Sequence, residues 1–464
     1  QEGQNWEALM FLQNNKNINP LIIIDNNKIQ SDTWVNKVKD YSKLKNKIKS
    51  FKLNFKEVDG HNKKKLLNLI SSHFKKKNGA TVILANTIKG KGFKDFEATN
   101  FKKNMKFYPY HSGNLSPKIY EKATIQILDK IFKFCDTKKI IKPLVKNYQE
   151  TSKNNFNIDY QNLVQIYSKE LLSFAKRNNK AIILDADLTK DSGSLEVMTK
   201  LPKQFLEFGI AEQDMVSFGS GLAANNFLPI FHSFSCFLST RSQEQIFNFC
   251  SENRKGIFLG ALSGLTPSAP GHSHQMVRDI PLIGSMPNLI LLELFSKKMI
   301  KNFFYYQRKF KSSFFIKINN SKLIKKNFEK FQLPKIGNFL KICNPKRGEI
   351  VLICQGADVI NEVLKIKKKL LNKNIMVLAT VWLNNINRSE IKKLFNKKIL
   401  IFQSSTDFGS FDSFLSNKIL SSGCKIKKFK SVSINGIPEC GQNDEVLNYH
   451  NLSSSKILSI LNQF

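Results

Sequence analysis

Hydrophobic positions along the chain fall into short runs separated by longer amphipathic stretches. Leu21 to Ile24 is an apolar run closed by Asp25-Asn26-Asn27, and Ala80 to Ala85 is another. Asn5 to Asn14 and Lys63 to Lys77 instead space their apolar residues as helices do. Short apolar runs bounded by polar turns suit strands buried on both faces, and their alternation with helices points to parallel sheets joined by crossovers. The rhythm resumes at Ala181 to Asp185, Leu206 to Gly209, Leu228 to His232 and Gly256 to Gly260. It returns at Ile350 to Cys354, Ile375 to Val381 and Lys398 to Phe402.

Two interruptions divide the series. Thr137 to Asn157 is polar and Lys-rich, and residues 319–348 combine Lys runs with the breakers Pro334, Gly337 and Pro345. The expected fold is α/β, with three doubly wound domains of mostly parallel sheet at residues 1–150, 157–325 and 340–464. A chain of 464 residues has room for three units of ordinary domain size.

Composition changes this picture little. Hydrophobic residues are 41% and charged residues 23%, so the chain can bury cores and is neither collagen-like nor wholly disordered. No apolar run approaches the roughly 20 residues a bilayer span needs. The net charge of +37 raises nucleic acid as a partner. Yet 66 basic residues are Lys and 7 are Arg, with none before Arg177, and base and phosphate readers favour the Arg fork. Lys, Asn, Ile and Phe are all abundant, as A/T-rich codons would make them, so the charge reads as genome composition. Seven dispersed cysteines with no C-x-x-C pair suit reduced thiols, a cytoplasmic setting and no zinc site. The first residues lack Met, a charged leader and an apolar leader, which reads as a chain whose beginning is missing.

Candidate chemistry starts at Asp25-Asn26-Asn27-Lys28-Ile29. Beyond the carboxyl end of a parallel strand, Asn side chains and backbone carbonyls offer hard oxygen ligands suited to magnesium or calcium, although the same residues also form turns. About 26 residues upstream, Gln1-Glu2-Gly3-Gln4-Asn5-Trp6-Glu7-Ala8 opens a helix. Together these segments resemble transketolase, whose thiamine diphosphate motif runs from Gly-Asp-Gly to Asn. The resemblance implies that Asn27, by its side chain, and Ile29, by its carbonyl, bind the Mg2+ or other divalent cation that holds the cofactor's diphosphate. It places the third ligand, an Asp, upstream of Gln1. Glu2 matches an acid that in the family links the cofactor sites of two subunits, so a homodimer with sites at the subunit interface is expected.

Phe208-Gly209-Ile210-Ala211-Glu212-Gln213 joins a strand to an apolar helix. A carboxylate there complements a helix dipole. Gly-Ile-Ala-Glu-Gln also resembles the catalytic segment of the transketolase pyrimidine domain, which implies that Glu212 shares a proton with the cofactor's aminopyrimidine and so promotes its activation. Phe234 and Phe237 read as core packing or, by the resemblance, as the aromatics that bracket that ring. Asp187, in Asp185-Ala186-Asp187-Leu188, matches an acid beside the cofactor.

Gly271-His272-Ser273-His274-Gln275 follows a loop rich in Gly, Ser and Pro. A loop His beside a Ser suits substrate hydrogen bonding or proton shuttling better than zinc. The resemblance gives His274 contact with substrate oxygens and gives His111, in Tyr110-His111-Ser112-Gly113, contact with cofactor and substrate. Either would serve as a general base. Thr87 to Gly92 fits the family's Lys-Gly-x-Gly loop, and His61 matches a turn-capping residue. His73, His232 and His450 read as structural.

Four features depart from the sugar-phosphate enzymes; in one, Asp191 stands roughly where a Ser is usual, with Ser192 adjacent. Pro270 and Leu262 replace an expected acid and His, and the Arg expected near Phe315 to Asn320 is absent. The phosphate clamp and the acceptor's hydroxyl reader are altered, so the expected activity is ketol transfer from a ketose to an atypical aldehyde, on sugar or sugar-phosphate substrates. Alternatives are another thiamine diphosphate enzyme, such as deoxyxylulose-phosphate synthase or a 2-oxo acid dehydrogenase component, an inactive homologue, and a basic nucleic-acid-binding protein.

Overall fold

The computed structural model describes residues 2–31, 33–39, 41–76, 79–100, 107–111, 115–134, 159–345 and 348–464. The chain divides into two compact units, Gln1–Ile158 and Asp159–Phe464. The expected linker from Thr137 to Asn157 lies outside the described residues.

In the first unit, β1 (Leu21–Asn26), β2 (Asn54–Asp59) and β3 (Thr81–Asn86) form a parallel sheet in the order β1-β3-β2. The central strand β3 is buried along nearly its whole length, as its uninterrupted apolar run requires. Helix Gly3–Asn14 turns Leu9 toward Val82 and Ile48, and Leu66, Leu69 and Ile70 of helix Lys63–Lys76 pack with Val58, Ile83 and Ala85. These two layers bury both faces of the sheet.

The second unit holds two larger sheets. A separate antiparallel pair joins β4 (Tyr160–Gln161) to the distant β11 (Leu323–Ile324). The first large sheet contains β5 (Ala181–Asp185), β6 (Phe205–Glu207), β7 (Leu228–Phe234), β8 (Ile257–Ala261), β9 (Leu289–Glu293) and β10 (Ser313–Ile318). Its order is β6-β5-β7-β8-β10-β9, with every pairing parallel. The chain reverses its winding direction between β5 and β7, which makes the carboxyl ends of those strands the natural crevice for a ligand.

The second large sheet contains β12 (Leu340–Cys343), β13 (Ile350–Gln355), β14 (Met376–Ala379), β15 (Lys398–Thr406) and β16 (Lys428–Ile434). It runs β12-β14-β13-β15-β16, and only β12 is antiparallel. The two sheets share one core: Leu292 and Ile316 lie in the same apolar cluster as Leu352, Val377 and Trp382. Glu293 N–H donates to Val381 O at 2.9 Å and Leu383 N–H to Leu291 O at 2.8 Å, which stitches the edge strand β9 to the later sheet.

Most predicted strands lie where the apolar runs stand. Two end earlier than expected: β14 stops at Ala379 rather than Val381, and β6 stops at Glu207 because Gly209 takes φ +67°, a conformation that suits glycine and turns the chain into the next helix. No described helix is long and apolar enough to cross a membrane. The six described cysteines are free, and burial pushes the thiols of Cys236 and Cys250 up to about 12, which leaves both inert at neutral pH.

Candidate active site

The carboxyl ends of β5, β6 and β7 carry Asp187, Glu212 and Phe234. Glu212 is the first residue of helix Glu212–Ala224 and is only 3% exposed. Helix and sheet approach closely: a Cβ on Gly219 would meet the Phe231 ring at 2.2 Å, so only glycine fits there. The Glu212 carboxylate accepts from Ser233 Oγ at 3.2 Å, and both its oxygens accept from Arg241 Nη1 at 3.2 Å. A buried carboxylate needs such partners to stay soluble in the protein interior.

Arg241 ends helix Ser235–Arg241, which starts directly after β7. Four residues earlier on the same helix face, Phe237 lies under its guanidinium, 4.1 Å from ring centroid to Cζ. Phe234 and Phe237 stand 5.9 Å apart, and the His274 ring meets them edge-on at 6.0 and 5.3 Å. Burial, helped by the Arg241 charge, lowers the His274 pKa, so the imidazole is neutral at pH 7. Ser273 Oγ lies 2.9 Å from its Nδ1. Glu212, Phe234, Phe237 and His274 are thus gathered around one cation that sequence reasoning did not single out. Its signal was present, since an Arg four residues after Phe237 shares that residue's helical face.

Asp187 is buried at the end of β5 with φ +63°, and its N–H donates to Glu207 Oε1 at 2.8 Å, as does the N–H of Gly209. Its neighbour Leu188 packs with Phe234, Leu262 and Met276, which ties the two strand ends together. Asp185 beneath accepts from Leu188 N–H and from Ser192 and Ser194 Oγ, each at 2.7 Å. Burial nevertheless pushes its pKa up to about 6 and raises that of Glu207 well above the carboxylate range.

A second polar network underlies the aromatic wall. Ser235 Oγ donates to Asp279 Oδ2 at 3.0 Å, and Lys317 Nζ donates to Asp279 Oδ1 at 2.7 Å in a sealed position. Glu293 lies close by, accepts from Ala357 N–H at 2.8 Å, and is pushed up to about 7 by burial. Asp279 and Lys317 are separated by 38 positions, so no local pattern announces the pair.

In the first unit, Asn27 follows β1. Its Oδ1 accepts from Ile29 N–H at 3.0 Å and its Nδ2 donates to Asp25 Oδ2 at 3.1 Å, an Asx turn with Lys28 at φ +67°. The turn-forming and oxygen-ligand readings of Asn27 are compatible, because a carbonyl oxygen has a second lone pair. Lys89 donates to the carbonyls of Gln30 and Ser31 and, at 3.0 Å, to Nδ1 of His111. An ammonium has no acceptor, so His111 Nδ1 carries the lone pair. The structure therefore brings Asn27, Ile29 and His111 into one neighbourhood through Lys89. Glu2 is half-buried at the start of helix Gly3–Asn14. His61 Nε2 accepts from Ile88 N–H at 2.8 Å, which fixes the Thr87 to Gly92 loop.

The remaining histidines hold structure together. His232, pulled down to about 4 by burial, bonds Tyr167 Oη at 3.0 Å, and His73 meets Thr81 Oγ1 at 2.9 Å. His450 Nε2 accepts from Glu439 N–H at 3.1 Å. Among the described residues, no group of three or more His, Cys, Asp or Glu is arranged to hold a metal.

Residues 160–316 match the sequence model of the family described as transketolase, pyrimidine binding domain, and all the gathered residues of the second unit's site fall within them. Residues 160–316 thus carry the transketolase pyrimidine-binding domain. It is 26% identical over 308 residues to a transketolase C-terminal section of Methanocaldococcus jannaschii, covering 64% of this chain and 94% of that protein. It is also 26% identical over 236 residues to 1-deoxy-D-xylulose-5-phosphate synthase of Clostridium acetobutylicum, covering 51% of this chain and 31% of that enzyme. The fold matches a solved transketolase of Campylobacter jejuni with a TM-score of 0.56 and 16% identity, over 100% of this chain and 75% of the other. The fold is that of the family's thiamine diphosphate enzymes. The chain thus spans under a third of the synthase and three quarters of the solved transketolase.

Proposed function

We propose that this protein is a transketolase-like transferase that moves a two-carbon ketol unit from a ketose donor to an aldehyde acceptor. The observation that carries the reading is the buried Glu212 carboxylate at a helix start, held by the Arg241 that stacks on Phe237 beside Phe234 and the neutral His274. These residues fit the pyrimidine half of thiamine diphosphate: an apolar aromatic slot and one acid at its floor. Asn27 and the carbonyl of Ile29 fit the hard-oxygen demand of a Mg2+ that would hold the diphosphate. When bound, the cofactor supplies a carbon nucleophile and a sink for the electron pair of the broken carbon–carbon bond.

The chain's own residues then divide the remaining work. Glu212 holds a proton at the ring nitrogen, and Arg241 and Ser233 keep its two oxygens in place. His274, uncharged at neutral pH, takes the donor's hydroxyl proton as the bond breaks and returns it to the acceptor's oxygen. His111, with Nδ1 filled by Lys89, presents its other nitrogen as a donor to substrate oxygens. Asp187 and Glu2 would contact the cofactor, Glu2 across a homodimer interface, so that each site would draw on two subunits.

Leu262, nearly buried among Phe234, Leu188 and Met276, replaces a hydroxyl-reading His with an apolar wall. This favours an acceptor with fewer hydroxyls than an aldose phosphate. It also sustains a second reading, decarboxylative transfer from a 2-oxo acid, the other thiamine diphosphate chemistry that the sequence resemblance leaves open. A screen of ketose and 2-oxo acid donors against aldehydes, with thiamine diphosphate and Mg2+, separates the two. Two-carbon transfer without carbon dioxide supports the first. Carbon dioxide release from pyruvate replaces it with the second, and turnover with neither donor class rejects both.

A further inference from the structure

At the opposite end of the first large sheet, the amino ends of β5, β7 and β8 open onto a cavity of about 590 Å3. Its lining includes Arg177, Lys180, Lys255 and Arg308, together with Phe227 and Gln307, and among the described residues no acidic one. Lys180 immediately precedes β5, and Lys255 stands two residues before β8. The residues of the candidate active site lie at the carboxyl ends of the same sheet, so the two places are distinct.

The chain's high lysine content makes positive surface common, so charge alone says little. Arginine is different: the chain has only 7, and two of them line this one cavity. Chance placement would put far fewer there. The candidate active site, by contrast, lacks the Arg expected near Phe315 to Asn320.

Among the described residues none of the four cations is in an ion pair. Lys255 Nζ is held by the carbonyls of Phe310 at 2.7 Å and Gln307 at 3.3 Å, which take two of its three hydrogens without cancelling its charge. Burial lowers its pKa accordingly. Arg308 stacks over Phe174 at 5.4 Å, which holds the guanidinium without neutralising it. Two helices, Leu163–Lys176 and Glu212–Ala224, end beside the cavity and supply about half a negative charge each, roughly −1 against four positive groups. The helix ends thus leave most of the charge unbalanced. Gln307 is 1% exposed, and its Oε1 is buried with no hydrogen-bond partner among the described residues, an acceptor left over for an O–H or N–H.

We propose that this cavity binds a small organic anion carrying two or more phosphoryl groups. The Arg forks and Lys ammoniums take the phosphoryl oxygens. Gln307 takes a hydroxyl or amino group of the carrier, and Phe227 supplies an apolar face.

Calorimetric titration of the full chain with ATP, with a sugar bisphosphate and with inorganic tripolyphosphate tests this, and the first two separate a nucleotide from a sugar source. Arg177→Ala/Arg308→Ala is expected to weaken binding by about tenfold or more. Lys368→Ala/Lys369→Ala, on an exposed helix far along the sequence, is expected to change it by less than about threefold. If the alanine pair fails to fold, acetylation of the wild-type chain gives the second readout: a bound probe should shield Lys180 and Lys255. The proposal is overturned if no probe binds at low ionic strength, if the Lys pair matters as much as the Arg pair, or if Lys180 and Lys255 are not shielded.

Discussion

Glu212 and Asp279 belong to the same pyrimidine-binding domain and each accepts from a cation, yet their surroundings differ. The Asp279–Lys317 pair is 2.7 Å long with both side chains sealed at 0% and 1% exposure. The Glu212–Arg241 pair is 3.2 Å long, and Arg241 is 35% exposed beside an aromatic wall. Two fully desolvated charges must stay paired, because removing one strands the other in a medium that cannot solvate it. A pair with one partner open to solvent can lose its bond and be rehydrated. The sealed pair therefore answers for the fold, and the open pair is free to exchange its partner for a ligand. Ser235 joins the two systems: it donates to Asp279 and begins the helix that carries Phe237 and Arg241.

Breaking the sealed pair should give the largest effect. Asp279→Ala leaves Lys317 buried without its carboxylate and is expected to cost about 3–5 kcal/mol, read by urea denaturation. A loss below about 1 kcal/mol would show that Glu293 or Asp358, whose charges also act on Lys317, takes over, and the contrast with Glu212 would fail.

The sealed network should also appear in the pH dependence of stability. Folded Glu293 keeps its proton up to about 7, whereas the unfolded chain releases it near 4.5. Between those values the folded state binds more protons, so stability falls as pH rises and the loss is complete above about 7. Denaturation midpoints taken at about pH 6 and about pH 8 should show a decline of order 1–3 kcal/mol that Glu293→Gln removes. Asp185, raised to about 6, adds a decline of the same sign at lower pH, which Glu293→Gln leaves in place.

The open pair should respond in rate instead. Arg241→Lys keeps the charge but loses the fork over Glu212, and turnover is expected to fall by about tenfold with stability changed by less than about 1 kcal/mol. A stability loss matching that of Asp279→Ala would place Arg241 with the structural network. The smallest effect is expected at Tyr167→Phe, which removes one buried hydrogen bond to His232 and should cost about 0.5–1.5 kcal/mol with no change in rate.

The strands were legible because buried parallel strands write themselves as unbroken apolar runs, and Ala181 to Asp185 became β5 residue for residue. Glu212 and Phe234 could be read because local sequence places each at a strand or helix end. Arg241 stood in the same local pattern and was overlooked, since an Arg four residues after a Phe signals nothing until the carboxylate it meets is located. Lys317 with Asp279, and β9 with Trp382, are contacts between distant segments, set by tertiary packing that no short window records. The packing of the two later sheets around one core escaped the reading for the same reason.

The most direct test pairs two readings of one variant, Glu212→Gln, in the full chain: turnover with the donor and acceptor found by the screen, and the urea midpoint. The account predicts a loss of turnover of about 100-fold or more with the midpoint within about 1 kcal/mol of wild type. Retained turnover would contradict the catalytic assignment, and a collapse in stability would show that Glu212 serves the fold as Asp279 does.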